Sequence, residues 1–216
     1  SFGAMALNVE TLIGDLWPIF HATSGSDVVF TSDAELTDFF ADWLKRFAEN
    51  YGAFVTRDTD SIVFVSGTGI YTTPTLHLDT MQVTYGKPLN ASSTHELECL
   101  DDAYQTAAAT TQAPVSRWYA DKNGPNVIGF YPVPALADAG NSPEVIYHGY
   151  PCNLDEAHES TAINTPAAVG DYLEFKVIAE AYLKESDFEM PEVGGTCNGI
   201  ASLYEQIFGA YWGRAQ

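Results

Sequence analysis

The chain has 216 residues, room for one or two domains, and 46 % of them are hydrophobic, enough for a substantial core. Nine Lys plus Arg against 29 Asp plus Glu give a net charge of −20, and Lys45-Arg46 is the only adjacent basic pair. That excludes attraction to nucleic acid, which needs clustered cations to displace counterions. The acidity reads either as solubility and self-repulsion or, more sharply, as a surface that faces DNA without holding it.

Twelve Tyr, twelve Phe and four Trp supply more aromatic surface than a bare core needs, and aromatic residues are enriched at protein–protein contacts. Cys99, Cys152 and Cys197 lie far apart and form no Cys-x-x-Cys motif, which fits reduced or buried thiols. No stretch reaches the roughly 18–20 apolar residues of a membrane span, and no basic-then-apolar leader opens the chain. Met5 reads as a natural start and Ser1–Ala4 as an expression scar; the sequon Asn90-Ala91-Ser92 reads as chance.

In chain order, Leu12, Ile13, Leu16, Trp17 and Phe20 predict a helix over Val9–Phe20, with Pro18 near its end and a polar loop over His21–Asp27. Ser32 with Glu35 forms a capping box, and Leu36, Phe39, Phe40, Trp43, Leu44, Phe47, Ala48 and Tyr51 draw one apolar stripe. Gly52 supplies the stop. The period then switches. Ala53–Arg57 and Ser61–Ser66 read as strands about an Asp58-Thr59-Asp60 turn, the second apolar on both faces. Ser66-Gly67-Thr68-Gly69 is a further turn, Ile70-Tyr71 leads to Pro74, and Leu76–Tyr85 is a weakly alternating strand closed by Gly86-Lys87-Pro88.

Ser93 with Glu96 caps a short helix carrying Leu97, Leu100 and Tyr104 on one face. Val115–Asp121 and Val127–Tyr131 form a hairpin about Asn123-Gly124, and Glu144–Tyr150 is the last strand. Residues 151–165 read as an acidic linker. Thr165-Pro166 opens a long helix whose apolar rows include Val169, Tyr172, Leu173, Phe175, Lys176, Val177 and Ile178. Pro191 and Gly194-Gly195 read as an interruption before a last helix carrying Ile200, Leu203, Tyr204, Ile207, Phe208 and Tyr211. The fold class expected is α+β: an antiparallel helical bundle of residues 1–52 and 160–216, with residues 53–159 as an inserted, mainly antiparallel β domain holding one short helix and the linker.

Chemistry-bearing motifs are sparse. There is no Gly-x-Ser-x-Gly elbow and no His-Glu-x-x-His, and the glycines at 67 and 69 lack the Lys-Ser/Thr of a phosphate loop. His158 beside Asp155, Glu156 and Glu159 has metal-ligand chemistry but reads better as a solvated acidic linker, and His95-Glu96 as a helix start. Carboxylates are too abundant for a hydrolytic pair to stand out. Trp118, Tyr119, Phe130 and Tyr131 present either ordinary hairpin packing or a β-domain interface, a platform for a carbohydrate or receptor in the alternative reading. No cofactor or metal is expected.

Several blocks occur in a distinctive order: Phe47-Ala48-Glu49-Asn50-Tyr51-Gly52-Ala53-Phe54, Gly69-Ile70-Tyr71 to Pro74, and Gly86-Lys87-Pro88-Leu89. Glu96-Leu97-Glu98-Cys99-Leu100-Asp101, Pro114 through Arg117-Trp118-Tyr119, Ile128-Gly129-Phe130-Tyr131-Pro132-Val133-Pro134, and Asp171-Tyr172-Leu173 through Ala179-Glu180-Ala181-Tyr182 follow. Over roughly residues 30–212 this resembles the head-to-tail adaptor (connector) proteins of tailed bacteriophages, the group that includes tubular tail protein A. One departure is Ala113, where relatives often have Gly. The resemblance implies a non-enzymatic virion protein at the head–tail junction, present in the host cytoplasm during assembly. It implies a homo-oligomeric ring, commonly a dodecamer, that binds the portal protein, docks a downstream tail or nozzle protein and extends the DNA ejection channel. It transfers no catalytic residues. Tyr211, Trp212 and Arg214, a bulky aromatic pair and a cation near the end of the last helix, are the candidate portal contacts.

Overall fold

The computed structural model describes residues 4–23, 33–101, 104, 114–120, 126–151, 162–184 and 191–212. The elements are β1 (Ala4–Leu7), α1 (Val9–Thr23), α2 (Asp33–Tyr51), β2 (Val55–Asp58), β3 (Ile70–Thr72), β4 (His77–Tyr85), β5 (Lys87–Pro88) and β6 (Asn90–Ala91). Then come α3 (Thr94–Leu100), β7 (Arg117–Ala120), β8 (Val127–Tyr131), β9 (Glu144–Gly149), β10 (Ile163–Pro166), α4 (Ala167–Lys184) and α5 (Pro191–Trp212). The fold is α+β. It divides into two compact units, one from Ser1–Ala53 with Pro151–Gln216 and one from Phe54–Tyr150.

In the helical unit, Asn8 starts α1 by accepting the Thr11 N–H at 2.8 Å, and Val9, Leu12, Ile13 and Leu16 are buried. Contrary to the expected loop, His21–Thr23 continue the helix past Pro18. Pro18 lies on the exposed face, where a carbonyl left without its partner can turn to water. The stripe of α2 behaves as its spacing requires: Leu36, Phe40, Leu44 and Phe47 are buried. Gly52 ends the helix at φ +56°, its N–H donating to the Ala48 carbonyl at 2.9 Å. Ser32, the expected cap, lies outside the described residues.

Two boundaries in this unit differ from expectation. Ala4 lies within a strand: β1 pairs antiparallel with β10, Ala4 opposite Pro166 and Leu7 opposite Ile163. The residues expected to cap α4, Thr165 and Pro166, are therefore strand, and Pro166 is tolerated because it ends the ladder. Helix α5 also begins at Pro191 and runs unbroken through Gly194-Gly195. Pro191 sits where a helix needs no N–H, and packing of α5 on α4 outweighs the weak local propensity of the glycines. Helix α4 also packs on α1 and α2. The Phe47 ring meets Phe208 edge-on at 5.2 Å and Tyr172 at 5.9 Å.

The other unit holds two four-stranded sheets, ordered β2-β9-β4-β5 and β3-β8-β7-β6, antiparallel except for the β6–β7 pair. Val83, Val145 and Tyr147 from the first sheet share one core with Trp118, Ile128 and Phe130 from the second. Residues Ser61–Ser66, expected as a strand apolar on both faces, form no strand. The Asp58 carboxylate takes the N–H groups of Asp60 and Ser61 at 3.1 and 2.8 Å. Downstream of this turn the segment is tied to a loop: Phe64 donates to Asn141 at 2.8 Å and accepts from Gly140 at 2.9 Å. Ile62 and Phe64 point inward while Val63 and Val65 are exposed.

Ser93 caps α3, its hydroxyl accepting the Glu96 N–H at 3.1 Å. The helix stops at Leu100, which is exposed, and Tyr104 reaches the interior from a turn beyond it. The hairpin strands are Arg117–Ala120 and Val127–Tyr131, in the register Trp118 opposite Phe130. The Asn123-Gly124 turn lies outside the described residues.

Candidate functional site

The aromatic hairpin was the first surface nominated for binding. Its register places Tyr119 opposite Gly129, and the Tyr119 ring lies over the space that a glycine Cβ would fill. Trp118 is 8 % exposed, and Tyr119 and Phe130 are 0 % exposed. These three rings are buried within the chain's core. Tyr131 is half-buried against Leu97, Tyr104 and Tyr119. Residue type alone could not tell these alternatives apart, because a buried and a displayed aromatic strand have the same sequence. Beside the hairpin, Arg117 donates to Glu96 at 2.6 Å and to Ser92 at 3.0 Å. The Glu96 carboxylate is thus engaged across elements by Arg117.

The second nominated surface is the end of α5. Trp212 is half-buried, edge-on to Phe47 at 5.4 Å and against Phe208 at 5.4 Å. One face of this indole therefore belongs to the helical core. The side chain of Tyr211 and the whole of Arg214 lie outside the described residues.

Sequence reasoning missed a polar centre among α2, α4 and α5. Lys176, placed by its spacing on the apolar face of α4, is 7 % exposed. Its Nζ donates to Glu205 Oε1 at 2.7 Å and to Asn198 Oδ1 at 3.4 Å, and lies 4.8 Å from the Trp43 ring. Trp43 Nε1 donates to Glu180 at 2.7 Å, and the Arg46 guanidinium covers the same ring at 4.6 Å. The Tyr172 hydroxyl donates to Glu205 at 3.2 Å, and its pKa is raised first by burial and then by that carboxylate. Lys176 and Glu205 are paired, so the cluster fastens three helices and leaves its central cation engaged. A lysine inside an otherwise apolar helical row was the available signal.

Nearby, burial first and the carboxylates of Asp15 and Asp171 second push the half-buried Glu174 up to about 7. The Tyr204 hydroxyl donates to Asp171 at 3.3 Å.

Among the described residues, no group of three or more His, Cys, Asp or Glu side chains is placed to hold a metal ion. His158 and its acidic neighbours lie outside them. His95 is one helical turn from Cys99, with Nε2 and Sγ 4.0 Å apart. The Ser66–Gly69 segment is a turn: Thr68 N–H donates to the Val65 carbonyl at 3.0 Å, and the Tyr71 hydroxyl donates to Thr68 at 2.8 Å. A strand follows it, so it lacks the helix N-terminus that a phosphate loop uses. No described helix is long and apolar enough to cross a membrane.

Among the described residues, the surfaces that stand out for binding are acidic helix faces, the sheet edge at β2 and the outer side of α5. Compared with known proteins, residues 5–216 match the family model described as SU10 adaptor protein. No curated protein matches the chain.

Proposed function

The chain belongs to the SU10 adaptor protein family, phage adaptor-type proteins, and on that premise we propose that it is the head-to-tail adaptor of a tailed bacteriophage. In this reading, copies of the chain form a ring beneath the portal, extend the DNA channel, and give the tail or nozzle protein a surface to dock on. The role is structural, and the site of action is the head–tail junction of the virion.

The observation that carries the reading is the reach of the family match, residues 5–216, which takes in both compact units. Two further features support it. The helical unit draws on both ends of the chain, and its four long helices, α1, α2, α4 and α5, suit an antiparallel bundle into which the β unit is inserted. The net charge of −20 suits a wall past which DNA slides, because an acidic lining repels phosphate and gives it nothing to stick to. The carbohydrate-binding alternative has lost its motive with the burial of Trp118, Tyr119 and Phe130.

Electron microscopy of the full chain mixed with purified portal tests the proposal. A closed ring seated on the portal's outer end, with an open axial bore, is the expected image. Portals that remain bare at saturating concentrations of the chain refute it.

A further inference from the structure

We infer that the outer face of α5 is a docking surface for a second copy of this chain. The inference rests on the adaptor reading and names the surface through which copies meet.

Helix α5 has 22 residues and spans about 33 Å. Phe208 and Ala201 on its inner side are fully buried, while Leu203 is 58 % and Ile207 46 % exposed one turn apart on its outer side. Between Val193 and Ala210 the sole charged residue is Glu205, and its carboxylate is engaged by Lys176 at 2.7 Å. Every exposed position in that stretch is uncharged. The other long helices differ: α1 exposes Glu10 and Asp15, and α2 exposes Asp38, Asp42, Lys45, Arg46 and Glu49.

This contrast selects the occupant. A basic partner would be drawn to the acidic faces and gain nothing from α5. A second copy carries the same −20, so close approach through acidic faces sets like charges against each other. A charge-free apolar face keeps like charges out of direct contact and so lessens that penalty, and burying Leu203 and Ile207 rewards the contact.

The glycines point the same way. At Gly195 and Gly199, on the same side of the helix as Leu203, an added Cβ would meet nothing within 4 Å. Glycine inside a helix weakens it relative to alanine. A neighbouring helix that approaches closely along this side uses that space.

The test compares two double variants of the full chain, Leu203→Glu with Ile207→Glu and Gly195→Ala with Gly199→Ala. Leu136→Glu, at an 81 % exposed position in the β unit, is the control. Thermal melting reports folding, and electron microscopy with purified portal reports rings. The glutamate pair is expected to melt as the wild type does and to lower ring occupancy at least tenfold. The alanine pair is expected to raise the melting temperature by about 2–4 °C per substitution while also lowering ring occupancy. An opposite effect on folding and assembly is something a purely structural role of these positions would not produce. Normal ring occupancy for both pairs overturns the inference, as does a variant ring that forms but no longer sits on the portal, which would assign the face to the portal. If the wild type itself forms no ring, the adaptor reading falls and this inference with it. Wild-type rings beside normal variant rings remove this inference alone.

Discussion

Tyr119 and Gly129 show how one residue fixes another across a sheet. They are direct partners in the β7–β8 ladder, and a Cβ at Gly129 would fall within the Tyr119 ring. The aromatic side chain covers its glycine partner and shields the strand on that side. Gly129→Ala should therefore destabilise the β unit by about 2–3 kcal/mol, since neither ring nor backbone can yield without strain; urea unfolding followed by tryptophan fluorescence measures it. Glu174 sets a different constraint. Its folded pKa of about 7 stands above the unfolded value of 4.5, so the folded chain holds this proton more tightly. The stability it contributes is fully present below pH 4.5 and is lost as pH rises through about 7. The groups facing it are Asp15 from α1 and Asp171 from its own helix, with the Tyr204 hydroxyl of α5 bonded to Asp171. Glu174→Gln should flatten this part of the pH profile and stabilise the chain at pH 8 by on the order of 1 kcal/mol, allowing for solvent screening at a half-buried site. Melting curves at pH 5 and pH 8 for both proteins check the sign; an unchanged slope refutes it.

Elements were legible where one local rule was enough. The α2 stripe with Gly52, the Ser93 cap of α3 and the β7–β8 hairpin follow from spacing and from single residues with one dominant use. Elements defined by distant partners were not. Strands β1 and β10 are four residues each, lie far apart in the sequence, and have no period to betray them. Ser61–Ser66 has the alternation of a strand, but Ile62 and Phe64 face inward from a segment whose bonds run to a loop. Helix α5 crosses Gly194-Gly195 because its stability comes from packing on α4. The end of α5 was nominated for the portal from its aromatics, yet Trp212 also braces Phe47 and Phe208. Removing the chain after Phe208 would therefore loosen the helical unit as well as any docking surface. Trp212→Ala should lower stability by about 2 kcal/mol, less than for a fully buried tryptophan. Arg214→Ala should leave the melting curve unchanged while weakening portal binding in a pull-down. Loss of binding by Trp212→Ala alone, with Arg214→Ala binding normally, would mean that folding and not the cation was tested.

At the scale of the whole molecule the governing quantity is the charge of −20 carried by every copy. Bringing such copies together sets their acidic faces within reach of one another, and the repulsion extends about 30 Å at 0.01 M salt but only about 10 Å at 0.1 M. Assembly on the portal should therefore strengthen as salt rises over that range, the opposite of an association held by ion pairs. Sedimentation velocity at the two salt concentrations reads this directly, and a ring that weakens with added salt would mean complementary charges drive it. The same charge bears on the proposed DNA channel. A channel that binds phosphate through basic side chains holds DNA most tightly at low salt, because counterion release is then most favourable. Assembled rings of this chain should retain no duplex DNA even at 0.01 M salt in a gel-shift assay, since the nine basic residues are outnumbered by 29 acidic ones. Retention at low salt that vanishes near 0.15 M would locate basic side chains along the bore and reject the repulsive wall.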